Sequence, residues 1–205
     1  HRFDLILDEP SLHGYTMDVW CAIRTYPKHA TELGNPIPSE PVFFLKPSSS
    51  ITGFSIIDSN GKDLHHELEL VVKLGENLKP ESMTVGLDLT KRNLQNSLKN
   101  ERLPWTEAKG FKNSAVIGDW VKFSSSASYS LEINKKTVQK GSIDELTWSV
   151  EELIDKLGKW APLKEGDILF TGTPEGVGPL CMGDELKASL FVDEELILQH
   201  CGNVT

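Results

Sequence analysis

The segment Leu64-His65-His66-Glu67-Leu68-Glu69-Leu70-Val71-Val72 sets two carboxylates two residues apart inside a run that otherwise reads as a buried β-strand. Successive strand side chains alternate faces, so Glu67 and Glu69 point one way while Leu68 and Leu70 point into apolar packing. Two like charges side by side on a half-buried surface repel each other and are costly to desolvate. A divalent cation is the simplest compensation; the alternative is a solvent-facing sheet edge, the commoner setting for a Glu-x-Glu pair. A third acid is available. In Val85-Gly86-Leu87-Asp88-Leu89-Thr90, Asp88 interrupts an apolar alternating run, just ahead of Lys91-Arg92-Asn93-Leu94-Gln95, where polar residues crowd at helical spacing. Asp88 is therefore either a third oxygen ligand or the cap of the helix that follows.

With 205 residues the chain is long enough for one sizeable core and short for two, so a single domain over 1–205 is expected. No apolar run approaches the ~20 residues needed to span a bilayer, and the start lacks a basic-then-apolar secretion signal. A net charge of −9, with no run among the 21 basic residues, argues against a nucleic-acid partner. Three widely spaced cysteines, Cys21, Cys181 and Cys201, without any Cys-x-x-Cys pair, read as reduced thiols, and a cytoplasmic location is expected.

Strand-like alternation recurs at Phe3–Leu7, Asp18–Ile23, Val42–Leu45, Glu67–Val72, Leu131–Ile133, Ile168–Thr171, Leu186–Phe191 and Glu195–Gln199. Helical periodicity is confined to Pro27–Leu33, Lys91–Asn100 and Ser149–Trp160, the last with Val150, Leu153, Ile154 and Leu157 on one face. Ser48–Ser50 and Ser124–Ser130 read as loops. The expected class is mixed and β-dominated, with few helices.

Within Tyr26-Pro27-Lys28-His29-Ala30-Thr31-Glu32-Leu33-Gly34, proline suits a first helical turn and glycine its end. His29 and Glu32 are then i, i+3 neighbours, and a carboxylate beside an imidazole orients the ring and raises its basicity. The same pair is also an ordinary feature of exposed helices. The glycines at 172, 176 and 178 miss the phosphate-loop spacing and its Lys-Ser/Thr ending.

Taken in order, six segments resemble the fumarylacetoacetate hydrolase family, especially its short single-domain members. They are RTYPKHATE from Arg24, EPVFFLKPSSSI from Glu40, HHELEL from His65, GLDLTKRNLQ from Gly86, LPWTEAKGF from Leu103 and GDILFTGTPEGVGP from Gly166. The resemblance runs from about Cys21 to the C-terminal strands. It implies a β-roll with a few short helices, an N-terminal strand region over 1–20, a lid over 25–35, and assembly as a homodimer. It also implies Mg²⁺ (or Mn²⁺) on Glu67, Glu69 and Asp88; an all-oxygen set of this kind suits a hard cation and disfavours zinc. His65 and His66 are not expected as ligands, one being packed and the other at the surface.

The resemblance further implies a catalytic dyad of His29 and Glu32, with Lys109 stabilising an enolate, Gln95 orienting water and Thr173 gripping a substrate carboxylate. Arg24 and Lys46 add positive charge on segments flanking the lid, for the substrate's acidic groups or for surface acids. The activity so implied is hydrolysis of the C–C bond of an acylpyruvate, a small 2-oxo acid, through a metal-held pyruvate enolate. Alternatives are an oxaloacetate decarboxylase or tautomerase, an isomerase or decarboxylase of a hydroxymuconate-type diacid, and a non-catalytic, metal-stabilised dimer. Asn93, where many relatives have Asp, bears on metal affinity; Ile23 and Thr25, where Gly and Asn are frequent, bear on the lid hinge.

Overall fold

The computed structural model describes residues 17–28, 38–59 and 63–205. In chain order the strands are β1 (Val19–Ile23), β2 (Val42–Lys46), β3 (Ile51–Thr52), β4 (Ile56–Ile57), β5 (Leu64–His66), β6 (Leu68–Leu74), β7 (Pro80–Asp88) and β8 (Thr90–Lys91). Two helices follow, α1 (Arg92–Asn100) and α2 (Thr106–Lys109), then β9 (Ala115–Ile117), β10 (Val121–Lys122), β11 (Ala127–Ile133) and β12 (Lys136–Ser142). Helix α3 (Val150–Gly158) precedes β13 (Ile168–Phe170), β14 (Gly178–Pro179), β15 (Glu185–Val192) and β16 (Glu195–Val204). The fold is β-dominated with a few short helices, as the sequence leads one to expect. The expected strand Phe3–Leu7 and most of the expected turn Pro27–Leu33 lie outside the described residues.

One sheet runs β2-β1-β13-β6-β7-β9-β3, with β10 also paired to β7; a second runs β12-β11-β15-β16-β4; a small third runs β14-β5-β8. The central strands of the first sheet, β1, β13, β6 and β7, are buried on both faces, and period-two alternation sorts their residues. Trp20, Ala22, Leu68, Leu70, Val85, Leu87 and Leu169 join the main core, while Val19, Cys21, Val71, Ile168 and Phe170 form a smaller cluster on the opposite face. Glu69 and Asp88 alternate with main-core residues, so they fall on the side of the smaller cluster, with Gly86 directly paired to Glu69. A Cβ on Gly86 would come within 2.6 Å of Val116 O and Val71 Cγ2. The missing side chain is what lets β7 lie this close to its neighbours.

The second sheet is built from hairpins whose turns, Asn134-Lys135 and Asp193-Glu194, have φ between 49 and 68° at both central residues. Such turns match the right-handed twist of the strands they join. Ala127–Ile133 is a strand, although part of it reads as a serine-rich loop, because Tyr129 and Leu131 face the core while Ser128 and Ser130 face out. Helix α3 buries the Val150, Leu153, Ile154 and Leu157 face its periodicity predicts, and a capping box of Ser149 and Glu152 closes its N-terminus. Among the described residues no helix is long and apolar enough to cross a membrane, and the three cysteines are free.

Candidate metal and anion site

Glu67 sits in the break between β5 and β6, Glu69 one residue inside β6, and Asp88 at the last position of β7. All three are buried, and one carboxylate oxygen from each lies within 4.8 Å of the others. The edge-strand alternative for Glu67 and Glu69 is thereby replaced, since β6 is an interior strand. So is the capping alternative for Asp88. The first turn of α1 is met by Asp63, whose Oδ2 accepts from Asn93 N at 3.0 Å, while Asp88 turns inward.

Three cations are packed among these acids. Lys109, 2% exposed on α2, places Nζ 2.9 Å from Glu67 Oε2, 2.6 Å from Asp88 Oδ2 and 2.6 Å from Thr90 Oγ1. Burial alone would discharge it, but Asp88 and Glu67 outweigh burial and hold its ammonium well above the usual lysine range. Arg92 forks between Glu67 Oε1 and, at 2.8 Å, Gln95 Oε1. With burial opposed by Lys109 and Arg92, the Glu67 carboxyl lies below its ordinary range. Gln95 is itself buried, and the Arg92 bond fixes its carboxamide with the NH₂ end as the remaining donor.

Lys46 departs from expectation. It is fully buried at the end of β2, and its ammonium contacts Asp88 Oδ1 at 2.8 Å, Ser114 O at 3.0 Å, Leu89 O at 3.3 Å and Lys109 O. Its charge is spent on holding Asp88 and three carbonyls, so it is neither a surface cation nor one reaching outward for substrate. The contact to Asp88 Oδ1 is not aligned as a hydrogen bond, and that buried oxygen retains an uncommitted lone pair. Glu69, 1% exposed, is the acid without a salt-bridge partner among the described residues; it accepts from Gly172 N at 2.7 Å. Burial, with Asp88 and Glu67 nearby, pushes its carboxyl well above the ordinary range. A buried, under-compensated carboxylate beside an uncommitted carboxylate oxygen is what a hard divalent cation fits.

The remaining expected residues divide. Thr173 is buried after β13, where its hydroxyl donates to Leu68 O at 2.8 Å and accepts from Gln139 Nε2 at 2.9 Å. Its hydrogen is thus already committed. Arg24 follows β1 in left-handed backbone, φ 57°. Its charge is felt at Lys99 in the last turn of α1, whose ammonium loses hydration and is repelled by Arg92, Lys109 and Arg24, bringing it down to about 8. His29 and Glu32 lie outside the described residues.

Of the unusual positions, Thr25 is buried and donates to Thr171 O at 2.7 Å, tying the exit of β1 to the 171–173 loop. Ile23 is half-buried and Asn93 is exposed on α1. His66 is buried against Gln139, whereas His65 is half-buried beside Asp63. Sequence reading passes over Arg92, Lys99 and Gln139. For Arg92 and Lys99 the available signal is helical spacing: they stand three before and four after Gln95 on one α1 face.

Comparison with known proteins supplies the context. The family profile described as fumarylacetoacetate (FAA) hydrolase C-terminal matches residues 18–200. The mitochondrial oxaloacetate tautomerase of Arabidopsis thaliana is 39% identical over 188 residues, covering 83% of this chain and 84% of that protein. The mitochondrial oxaloacetate decarboxylase of Dictyostelium discoideum is 36% identical over 186 residues, covering 82% and 85%. A crystal structure of fumarylpyruvate hydrolase from Pseudomonas aeruginosa, in complex with Mn²⁺ and pyruvate, superposes with a TM-score of 0.83 at 30% identity, covering 93% of this chain and 90% of that one.

Proposed function

Because this chain belongs to the fumarylacetoacetate hydrolase family, we propose that it is a divalent-metal enzyme acting on a small 2-oxo dicarboxylic acid, with keto–enol exchange of oxaloacetate as its first activity. The observation that carries this reading is the buried Glu67–Glu69–Asp88 triad, an all-oxygen set with one acid left without a cation. The proposed substrate follows the relatives named for oxaloacetate. When bound, Mg²⁺ or Mn²⁺ supplies Lewis acidity to the 2-oxo carbonyl.

The chain's own residues do the rest. Arg24, Arg92 and Lys99 present positive charge that draws in a dianion. Lys109, kept charged by its acids and with its three hydrogens given to Glu67, Asp88 and Thr90, acts through its charge alone on the negative charge that develops on the carbonyl oxygen. Enolisation takes the proton from C3, leaves its bonding pair as a C=C bond, and returns a proton to the oxygen. His29, oriented by Glu32, is the proposed carrier of that proton. Gln95 presents its NH₂ to substrate or water, and the Thr173 loop receives a substrate carboxylate through the Thr173 N–H, since the Thr173 hydroxyl is given to Leu68 and the Gly172 N–H to Glu69.

A second reading is C–C hydrolysis of an acylpyruvate, supported by the likeness to a fumarylpyruvate hydrolase. There, water activated by His29 adds to the distal carbonyl, and the C–C bond breaks to release a carboxylic acid and pyruvate enol. One experiment separates the readings. Proton NMR follows oxaloacetate and, separately, acetylpyruvate, with Mg²⁺ and with EDTA, using Glu69→Ala as control. Metal-dependent acceleration of keto–enol exchange without loss of carbon supports the first reading, and acetate plus pyruvate supports the second. Pyruvate and CO₂ from oxaloacetate would place the chain with the decarboxylases. No metal-dependent change in either substrate would sink both readings.

A further inference from the structure

Strand β12 carries a buried carboxamide that none of these steps uses. Gln139 is 1% exposed, and all four of its hydrogen-bonding positions are filled by elements of the site. Its Oε1 accepts from Leu68 N at 3.0 Å and from His66 Nδ1 at 2.8 Å. Its Nε2 donates to Thr173 Oγ1 at 2.9 Å and to Pro174 O at 3.0 Å. The orientation is not ambiguous: the Leu68 main-chain nitrogen can only donate and the Pro174 carbonyl can only accept, so turning the amide round sets like groups against each other at both ends.

The bonded groups explain why this matters. Leu68 stands between Glu67 and Glu69, and Thr173 and Pro174 follow Gly172, whose N–H donates to Glu69. A single side chain from the second sheet therefore bridges the segment that carries two of the acids and the loop beside them. It also fixes the direction of the Thr173 hydroxyl, which receives from Gln139 and passes its own hydrogen to Leu68 O.

Resting on the metal and 2-oxo-acid reading above, we propose that Gln139 is the positioning residue of the site, setting the spacing between the Glu67–Glu69 carboxylates and the 172–174 loop that receives the substrate carboxylate. It acts through the Leu68 main chain on the acids and through Thr173 on the loop. These two halves are chemically separable. Gln139→Glu keeps the shape and the acceptor positions but loses one donor as the neutral acid and both as the carboxylate, so it breaks the loop half alone. Gln139→Met keeps the approximate volume and breaks both halves.

The experiment measures the KM and kcat for oxaloacetate keto–enol exchange, Mn²⁺ affinity by electron paramagnetic resonance, and thermal midpoint for the wild type and both variants. Gln139→Glu is expected to raise KM about tenfold while leaving Mn²⁺ affinity within about threefold, and Gln139→Met to weaken both about tenfold. Placed on a Thr173→Val background, Gln139→Glu should add less to KM than it does alone, because its bond to Thr173 is already gone and only the one to Pro174 O is left to lose. A folded Gln139→Glu with unchanged KM overturns the proposal. So does a rise in KM accompanied by equal losses of kcat and Mn²⁺ affinity and by a lowered thermal midpoint, which is the behaviour of a merely structural residue. If Gln139→Met does not fold, Gln139→Glu decides alone, since it retains two of the four bonds. A wild type that neither binds Mn²⁺ nor turns over removes the functional reading and this proposal together, whereas an active wild type with an indifferent Gln139→Glu removes the positioning role only.

Discussion

Glu69 differs from its two companions in what surrounds its charge. Glu67 faces Arg92 and Lys109, and Asp88 faces Lys46 and Lys109, whereas Glu69 is met by the Gly172 N–H. Burial, Asp88 and Glu67 raise its carboxyl above the ordinary 4.5, so the folded protein keeps this proton at a pH where the unfolded chain has released it. Without metal, Glu69 therefore costs stability as pH rises above 4.5, and a cation that displaces its proton binds more tightly over the same window. Mn²⁺ titrations across that window should show affinity climbing with pH, and Glu69→Gln should flatten the slope; a flat wild-type profile would count against Glu69 as a ligand. Lys99 gives a second pH signature. Its ammonium is brought down to about 8, so attraction for a dianionic substrate should fade as pH passes that value, raising KM, and Lys99→Met should remove the step. The acids were legible because two-residue periodicity places Glu67 and Glu69 together and Asp88 breaks an apolar run. Lys46 and Gln139 were not. A lysine after an apolar strand reads as a cation for substrate or for surface acids, and a glutamine in Lys136-Thr137-Val138-Gln139-Lys140 draws no reading; only Asp88 and Thr173, brought from distant parts of the chain, reveal them as buried.

At the scale of elements, the strand that matters most for the site was the hardest to read. Strand β7 opens with Pro80 and Glu81, contains Gly86, and is buried on both faces over most of its length, so alternation marks only its end, from Val85. Helix α3 is the opposite case: one apolar face, a capping box at its start, and a single side packed. Ser149→Ala should cost about 1 kcal/mol by removing the acceptor for Glu152 N, read as a lowered urea midpoint with activity kept. Gly86→Ala should behave differently. Its added methyl meets Val116 O, Val71 and Phe170 at 2.6–2.9 Å, on an interior strand directly beside Glu69. Overpacking of this kind costs about 1–3 kcal/mol, and here it also pushes β7 from β6. Loss of stability together with weakened Mn²⁺ binding is the expected pair of results; loss of stability alone would show that the sheet absorbs the methyl without moving Glu69.

The whole molecule is needed to make the site, since its groups come from the end of β2, the start of β6, the end of β7, helix α2 and the loop after β13. The Gly172–Glu69 bond alone joins positions 103 residues apart. An unfolded chain has no such arrangement of oxygens, so a cation held by Glu67, Glu69 and Asp88 binds the native state and stabilises it by mass action. At a concentration one hundred times its dissociation constant the gain is about 2.7 kcal/mol. For a chain of this size each kcal/mol moves the thermal midpoint by about 2–4 °C, so Mn²⁺ should raise it by about 5–10 °C over the EDTA-treated protein. Differential scanning calorimetry reads this directly, without any substrate. Glu69→Ala should abolish most of the shift, and the wild-type shift should grow with pH because the cation must displace the Glu69 proton. A midpoint indifferent to Mn²⁺ at any pH would mean that Lys46, Lys109 and Arg92 already balance the three acids, and would leave the triad an ion-pair network between the first sheet and the two helices that follow β8.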